Sequence, residues 1–338
     1  MQKDIFKNLS LDFAKIAAET LEKEAQELLD SAKKMTQINW QEIIKAILES
    51  SSNGGKLIVC GVGKSGHIGK KIAATLASTG TPSFFLHPTE ALHGDLGMVG
   101  ARDIMLVISY SGESAEVLEI MPHLKRLSRA IITMSKSSAS PLSQMGDYFL
   151  PIAIGKEACP INAAPMSSTT LTLAMGDALA ACLMKAREFD KMDFGSFHPG
   201  GSLGKRLFIK VSDIMQKENL PIIDERTPLK SAIITMSEKR LGSALITKND
   251  KLVAILSDGD LRRAMMREDF DLNAPAIEFA TRAPKVWRDE SKLASQALDF
   301  IEENKIQLLI VVDNDDKILG VLHLHTLIHI GIKGDKNV

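Results

Sequence analysis

The chain has 338 residues and a formal net charge of −1, with 41 basic and 42 acidic side chains interspersed along it. That balance excludes the basic face of a nucleic-acid binder and the polybasic patch of a membrane-surface protein. The length predicts about two domains of ~150 residues each, and no apolar run approaches the ~18 residues that a membrane span requires.

The N-terminus, MQKDIFKNLS, is too evenly charged for a signal peptide, so the expected compartment is the cytoplasm. Residues 5 to 50 hold no glycine or proline and repeat apolar residues at helical spacing (Leu9, Phe13, Ile16, Ala17, then Leu21, Ala25, Leu28, Leu29). Two helices packing on the next part of the chain are expected there. From residue 56 the pattern changes to short apolar runs, KLIVC, PSFFL, DIMLVIS, AIITM and YFLPIAI, alternating with helical stretches near 66 to 78, 114 to 127 and 168 to 188. Such alternation argues for α/β architecture, a doubly wound parallel sheet with ligands beyond the carboxyl ends of its strands. Cys60, Cys159 and Cys182 lack paired spacing, which points to buried or incidental thiols and not to disulfides or zinc ribbons.

At the first of those strand ends stands GVGKSGH, residues 61 to 67. A nucleoside triphosphate loop would need a glycine where Ile58 stands, so that reading fails. The dinucleotide pattern G-x-G-x-x-G is present in Gly61, Gly63 and Gly66, but the second strand ends in His87 instead of a ribose-binding acid. A phosphorylated ligand other than a dinucleotide remains.

After FHPGGSLGKRL a second pattern occurs twice: KNDKLVAILSDGDL, from 248, aligns without gaps on NDDKILGVLHLHTL, offset by 66 residues. Each copy comes after an amphipathic helix, 229 to 240 or 294 to 305, and an apolar strand, SALIT or LLIVV. Two copies are too few for a solenoid. A pair in which each copy buries the other's open face is expected.

GVGKSGHIGKK, STGTPSFFLHPTEALHGDLGMV, SGES, KEACP, APMSSTT, MGDALA and HPGGSLGKRL, in this order, resemble the D-arabinose 5-phosphate isomerases. The resemblance implies a sugar-isomerase (SIS) domain, placed at 1 to 205, and a C-terminal tandem CBS module of repeats at 206 to 272 and 273 to 334. It further implies aldose–ketose interconversion of D-ribulose 5-phosphate and D-arabinose 5-phosphate, supplying Kdo for lipopolysaccharide or capsule, by a homotetramer that requires no cofactor. A SIS-type sugar-phosphate sensor needs a DNA-binding module, and residues 1 to 50 show no basic stripe or helix-turn-helix break. An isomerase for another phosphosugar stays open.

The chemistry needs a phosphate cradle and a proton relay between adjacent carbons. SYSGES and SSTT each open an expected helix, where unpaired N–H groups and the positive dipole end suit an anion. Ser109, Ser111, Ser114, Ser168 and Thr169 are therefore phosphate candidates. Ordinary capping by Ser and Thr explains either segment alone, but two of them with GVGKSGH in one sheet favour a ligand. The resemblance assigns the relay to Lys64, Glu116, Glu157 and His198. Glu157 is the candidate base, since desolvation can tune a carboxylate toward neutrality. His198 would open the sugar ring or shuttle the second proton, Lys64 would meet the oxyanion, and Glu116 would orient Lys64.

By the same resemblance, Ser65, Gly80, Thr81, His87 and His93 contact the sugar, and His87 takes an inhibitory zinc. Tyr110 and Met166 depart from the family pattern beside the phosphate loops. In the first repeat Asp260 resembles a ribose-binding acid, but its aligned partner in the second is Thr326, so at most one adenosine-type or sugar-nucleotide ligand is expected there.

Overall fold

The computed structural model describes residues 11 to 332. By its internal contacts the chain forms two units, which meet between Phe194 and Gly195. The division falls before the expected position of 205 because the stretch after 194 packs forward: a methyl group added to Gly195 would lie 2.8 Å from the Leu207 side chain.

In the first unit, α1 (Phe13–Ala32) and α2 (Trp40–Ser52) precede the sheet. Next come β1 (Leu57–Gly61), α3 (Gly63–Ser78), β2 (Ser83–Leu86), α4 (Pro88–Leu92), β3 (Ile104–Ile108) and α5 (Ala115–Leu127). The unit closes with β4 (Ala130–Ser135), α6 (Pro141–Met145), β5 (Tyr148–Pro151) and α7 (Ser167–Ala186). All strand pairs are parallel, in the order β2-β1-β3-β4-β5. β1 and β3 are buried throughout, as central strands covered on both faces must be. Their side chains alternate between two cores. Leu57 and Val59 join Ile47 of α2, Ile72 of α3 and Leu179 of α7, whereas Ile58 and Cys60 join Ala91 of α4, Ile120 of α5 and Leu142 of α6. Burial pushes the Cys60 thiol up to about 12.

The N-terminal helices form as expected, but most of the described α1 stripe stays outside the core. Phe13, Ile16, Leu21 and Leu29 are exposed, and Leu28 alone of the stripe joins the sheet's core from the edge. The helix lies against α7 and takes little else of the unit. Leu9 falls outside the described residues.

In this strand order the chain winds from β1 toward β2 and from β3 toward β4. A crevice therefore opens between the carboxyl ends of β1 and β3, where ligands of such sheets sit. GVGKSGH and SYSGES are the two loops that border it.

The second unit begins with α8 (Lys191–Phe197), which spans the division, α9 (Ser202–Phe208) and α10 (Val211–Ile214). The first repeat contributes β6 (Ile222–Asp224), α11 (Leu229–Lys239), β7 (Ser243–Lys248), β8 (Lys251–Ser257), α12 (Asp258–Ala264) and β9 (Thr281–Arg282). The second contributes β10 (Val286–Trp287), α13 (Ala294–Glu303), β11 (Leu308–Val312), β12 (Ile318–His323) and α14 (Leu324–His329). Each repeat has its own helix–sheet core, and a third core joins Leu245 of β7 to Ile310 and Val312 of β11 and Val321 of β12. Each sheet thus covers the other, as the paired motif required.

Candidate active site

The crevice is built by two helix starts. Gly63 opens α3 with φ of 55°, a left-handed turn that glycine adopts without strain. Gly66 lets the helix close on the strand, since an added methyl would stand 2.8 Å from the Gly61 carbonyl. Two of the three glycines of the fingerprint are therefore explained by turn and packing. Lys64 and Ser65 lie in the first turn of α3, Lys64 exposed and Ser65 half-buried, and no side chain caps that helix among the described residues.

SYSGES turns from β3 into α5. Ser109 is buried; its Oγ shares a 2.9 Å hydrogen bond with Ser114 Oγ and accepts one from the Gly112 N–H at 3.2 Å. Ser111 Oγ accepts from the Glu113 N–H. Ser114 is the N-cap residue of α5, yet its side chain does not cap. The first turns of α3 and α5, on neighbouring strands, thus carry N–H groups that no side chain accepts among the described residues. Glu116 sits exposed in the first turn of α5, and it forms no ion pair with Lys64 among the described residues.

The start of α7 differs. Glu157 sends its half-buried carboxylate onto it: Oε2 accepts from the N–H groups of Met166 at 2.8 Å and Ser168 at 3.3 Å, and Oε1 accepts a short bond from Ser168 Oγ. Thr169 Oγ1 donates back to the carbonyl oxygens of Pro165 and Met166. The N–H and hydroxyl of Ser168 are therefore committed to Glu157, and the Thr169 hydroxyl to the backbone of its own helix start. The Glu157 backbone is held by Asn162 Oδ1, which accepts its N–H at 3.0 Å.

His87 and His93 stand at either end of α4, beyond the carboxyl end of β2. His87 Nδ1 accepts the Thr89 N–H at 3.3 Å, so its ring proton belongs on Nε2. Among the described residues no group of three His, Cys, Asp or Glu side chains converges as a metal site. Gly80 and Thr81 do not join this set within the chain. They precede β2, at the amino end of the sheet, where Thr81 is buried and its Oγ1 accepts from Arg187 Nη1 at 2.6 Å. His198 lies in the second unit, half-buried, in the turn between α8 and α9.

Sequence reasoning missed the surroundings of Glu157. Burial raises the Tyr110 phenol above its ordinary value; a backbone hydrogen bond from Ile154 opposes this, and the charges of Glu157 and Glu27 add to it. Tyr110 therefore faces the segment that carries Glu157. Glu27 and Glu24 of α1 bind the same segment, although on the sequence they read as solvated helix charges. No local motif distinguishes them.

Residues 51–182 match the SIS domain family, and residues 211–267 and 284–332 match the CBS domain family. The arabinose 5-phosphate isomerase KdsD of Francisella tularensis is 42% identical over 308 residues, covering 91% of this chain and 94% of that protein. KdsD of Pseudomonas aeruginosa is 46% identical over 294 residues, 86% and 90% of the two chains. The chain belongs to the arabinose 5-phosphate isomerase family. It is an isomerase of phosphosugars. A solved Escherichia coli CFT073 protein in complex with arabinose 5-phosphate is 39% identical and aligns over 56% of this chain and 98% of its own, with a TM-score of 0.53. No described helix is long and apolar enough to cross a membrane.

The second unit of this isomerase has a concavity of its own. It is a cleft of about 710 Å³ lined by both repeats, with Asp260, Arg263 and Thr281 on one side and Lys305, His323 and His325 on the other. The Asp260 carboxylate is already satisfied. It accepts from Ser257 N–H at 2.8 Å, Ser257 Oγ at 2.6 Å, Arg263 Nη2 at 2.5 Å and Thr281 Oγ1 at 2.9 Å. A ribose hydroxyl would have to displace one of these donors. In the second repeat the N-cap is His323, whose Nδ1 accepts the His325 N–H and whose ring stacks on that of His325 at 5.1 Å.

Proposed function

We propose that the protein interconverts D-ribulose 5-phosphate and D-arabinose 5-phosphate through an enediol, in the cytoplasm, as the supply step for Kdo. The observation that carries the mechanism is the Glu157 carboxylate, fixed by three hydrogen bonds at the start of α7. From the open-chain aldose, Glu157 takes the proton at C2 as charge builds on the C1 oxygen, which Lys64 meets. Glu157 then returns the proton to C1 while the proton of the C2 hydroxyl passes to the C1 oxygen, leaving the ketose carbonyl at C2 and a hydroxyl at C1. The phosphate is placed on the starts of α3 and α5, with Ser109, Ser111 and Ser114. Glu116 acts through Lys64, and His87 and His93 meet the sugar. His198 opens the furanose or shuttles the second proton.

His198 stands in the other unit, and Gly80 and Thr81 stand at the other sheet edge, so a homotetramer in which copies complete each other's sites fits this set. Base, electrophile and shuttle are all side chains, so the reaction is proposed to need no metal; zinc at His87 would inhibit. The cleft of the second unit would hold one adenosine-type or sugar-nucleotide ligand.

Incubation with ribulose 5-phosphate in D₂O, followed by NMR, should show deuterium at C2 of arabinose 5-phosphate. Chelator should leave the rate unchanged or raise it. Failure to form arabinose 5-phosphate, with turnover of another phosphosugar, would replace the substrate; activity lost on chelation and restored by one metal would replace the mechanism.

A further inference from the structure

The segment that carries Glu157 is gripped at both ends by one helix that contributes nothing to the sheet. Glu27 of α1 accepts the Gly155 N–H on Oε2 at 2.7 Å and the Lys156 N–H on Oε1 at 2.9 Å, across 128 and 129 residues of sequence. Both carboxylate oxygens are thus used on the two residues immediately before Glu157. One turn earlier on α1, Glu24 Oε2 accepts Thr170 Oγ1 at 3.0 Å, in the first turn of α7. Between these grips lie Glu157 and the Ser168 donors that hold it.

The grip is not required by packing. Gly155 and Lys156 are exposed, so their N–H groups would find water if Glu27 were absent. A carboxylate spanning two adjacent N–H donors instead fixes the direction in which the backbone enters Glu157, with the strength of charge-assisted bonds. The grip reaches the segment from α1, whereas Tyr110 meets the same segment from the β3 side.

We infer that α1 is a positioning element for proton transfer, with Glu27 as the principal positioning residue and Glu24 as its second point of hold. This rests on the reading of Glu157 as the base. A misplacement of ~1 Å at a reacting group can cost on the order of 10²-fold in rate, so a small loosening of the loop is enough to be read in kcat.

The test compares Glu27→Ala, Glu27→Gln, Glu24→Ala and the exposed control Lys23→Ala in the full chain, each with kcat, KM and melting temperature. Glu27→Ala should lower kcat by ~10- to 100-fold with KM within about twofold and a melting temperature within a few degrees of the parent. Glu27→Gln, which keeps one acceptor, should fall between, Glu24→Ala should lose less, and Lys23→Ala should match the parent. Combined with Glu157→Gln, Glu27→Ala should cost nothing further, because both changes act through one group. Parental kcat in Glu27→Ala, a raised KM alone, or a full further loss in the double variant overturns the clamp even when Glu157→Gln is inactive. Near-parental kcat in Glu157→Gln overturns the base reading itself and the clamp with it.

Discussion

The starts of α5 and α7 look alike in sequence and differ in structure. SYSGES and SSTT are both hydroxyl-rich and both open helices at the carboxyl edge of the sheet. At α5 the serines spend their hydroxyls on one another, Ser109 on Ser114, and no side chain takes the helix N–H groups. At α7 a carboxylate from the preceding loop takes them, with Ser168 giving both its N–H and its hydroxyl. An anion near a helix start gains ~0.3–1 kcal/mol when exposed and up to about 2 when partly buried, and Glu157 already collects that gain. The α5 start therefore keeps N–H groups that no side chain takes among the described residues, whereas the α7 start holds the Glu157 carboxylate. Ser168 holds Glu157, while the Thr169 hydroxyl turns back on the carbonyl oxygens of Pro165 and Met166.

The largest break in this contrast is Glu157→Gln. Gln keeps one oxygen for the α7 donors, so the fold should hold, while kcat should fall by at least ~10² because the proton acceptor is gone. A kcat near that of the parent would show that the carboxylate is only a cap. A sharper and smaller test fills the α5 start as nature filled α7. Ser114→Asp should raise KM by ~10-fold or more through competition with the phosphate, while stability holds or rises by about 0.5 kcal/mol, since Asp is a favoured N-cap. Ser168→Ala, by contrast, should lower kcat more than it raises KM. If Ser168→Ala raises KM and Ser114→Asp does not, the two helix starts have been assigned the wrong way round.

Much of this was legible before the structure. The apolar runs alternating with helical stretches marked a parallel sheet covered on both faces, and the glycines of GVGKSGH marked the strand-to-helix turn where Gly63 and Gly66 serve a left-handed turn and a close approach. The two matching repeats announced their shared core. What stayed hidden depends on contacts across long stretches of chain. That Glu157 reaches the start of α7 depends on the loop from 158 to 165, whose path is set by Asn162 at φ of 51° and by Ser167 Oγ accepting the Ala158 N–H. Glu27 meets Gly155 only because α1 lies along α7, and nothing in its own neighbourhood separates it from Glu22 or Glu19. The family motifs named Gly80 and Thr81 for the sugar, yet no local pattern could show that they stand at the opposite edge from Lys64.

The second unit offers the same contrast on a smaller scale, between Asp260 of the first repeat and Thr326 of the second. Burial tends to raise the Asp260 carboxyl, but hydrogen bonds from Ser257, Thr281 and Arg263 outweigh it and hold the carboxyl below its ordinary range. A carboxylate with a depressed folded value contributes stability that is complete above its unfolded value, ~3.9, and that is lost as pH falls through the folded one. Asp260→Asn removes the charge from Arg263 and at least one acceptor from Ser257, and at pH 7 should cost the second unit ~1–3 kcal/mol. Thr326→Val, at the aligned position, should cost less than ~1 kcal/mol, because no hydrogen bond from its hydroxyl appears among the described residues. Trp287 lies in the second unit and Trp40 in the first, so Trp287 fluorescence in a Trp40→Phe background reports unfolding of the repeats. The gap between parent and Asp260→Asn should narrow as the pH is lowered below about 4 and nearly close once the parent carboxyl is protonated. A gap that stays constant across that range would mean that Asp260 acts through shape alone and that the two repeats differ only in packing.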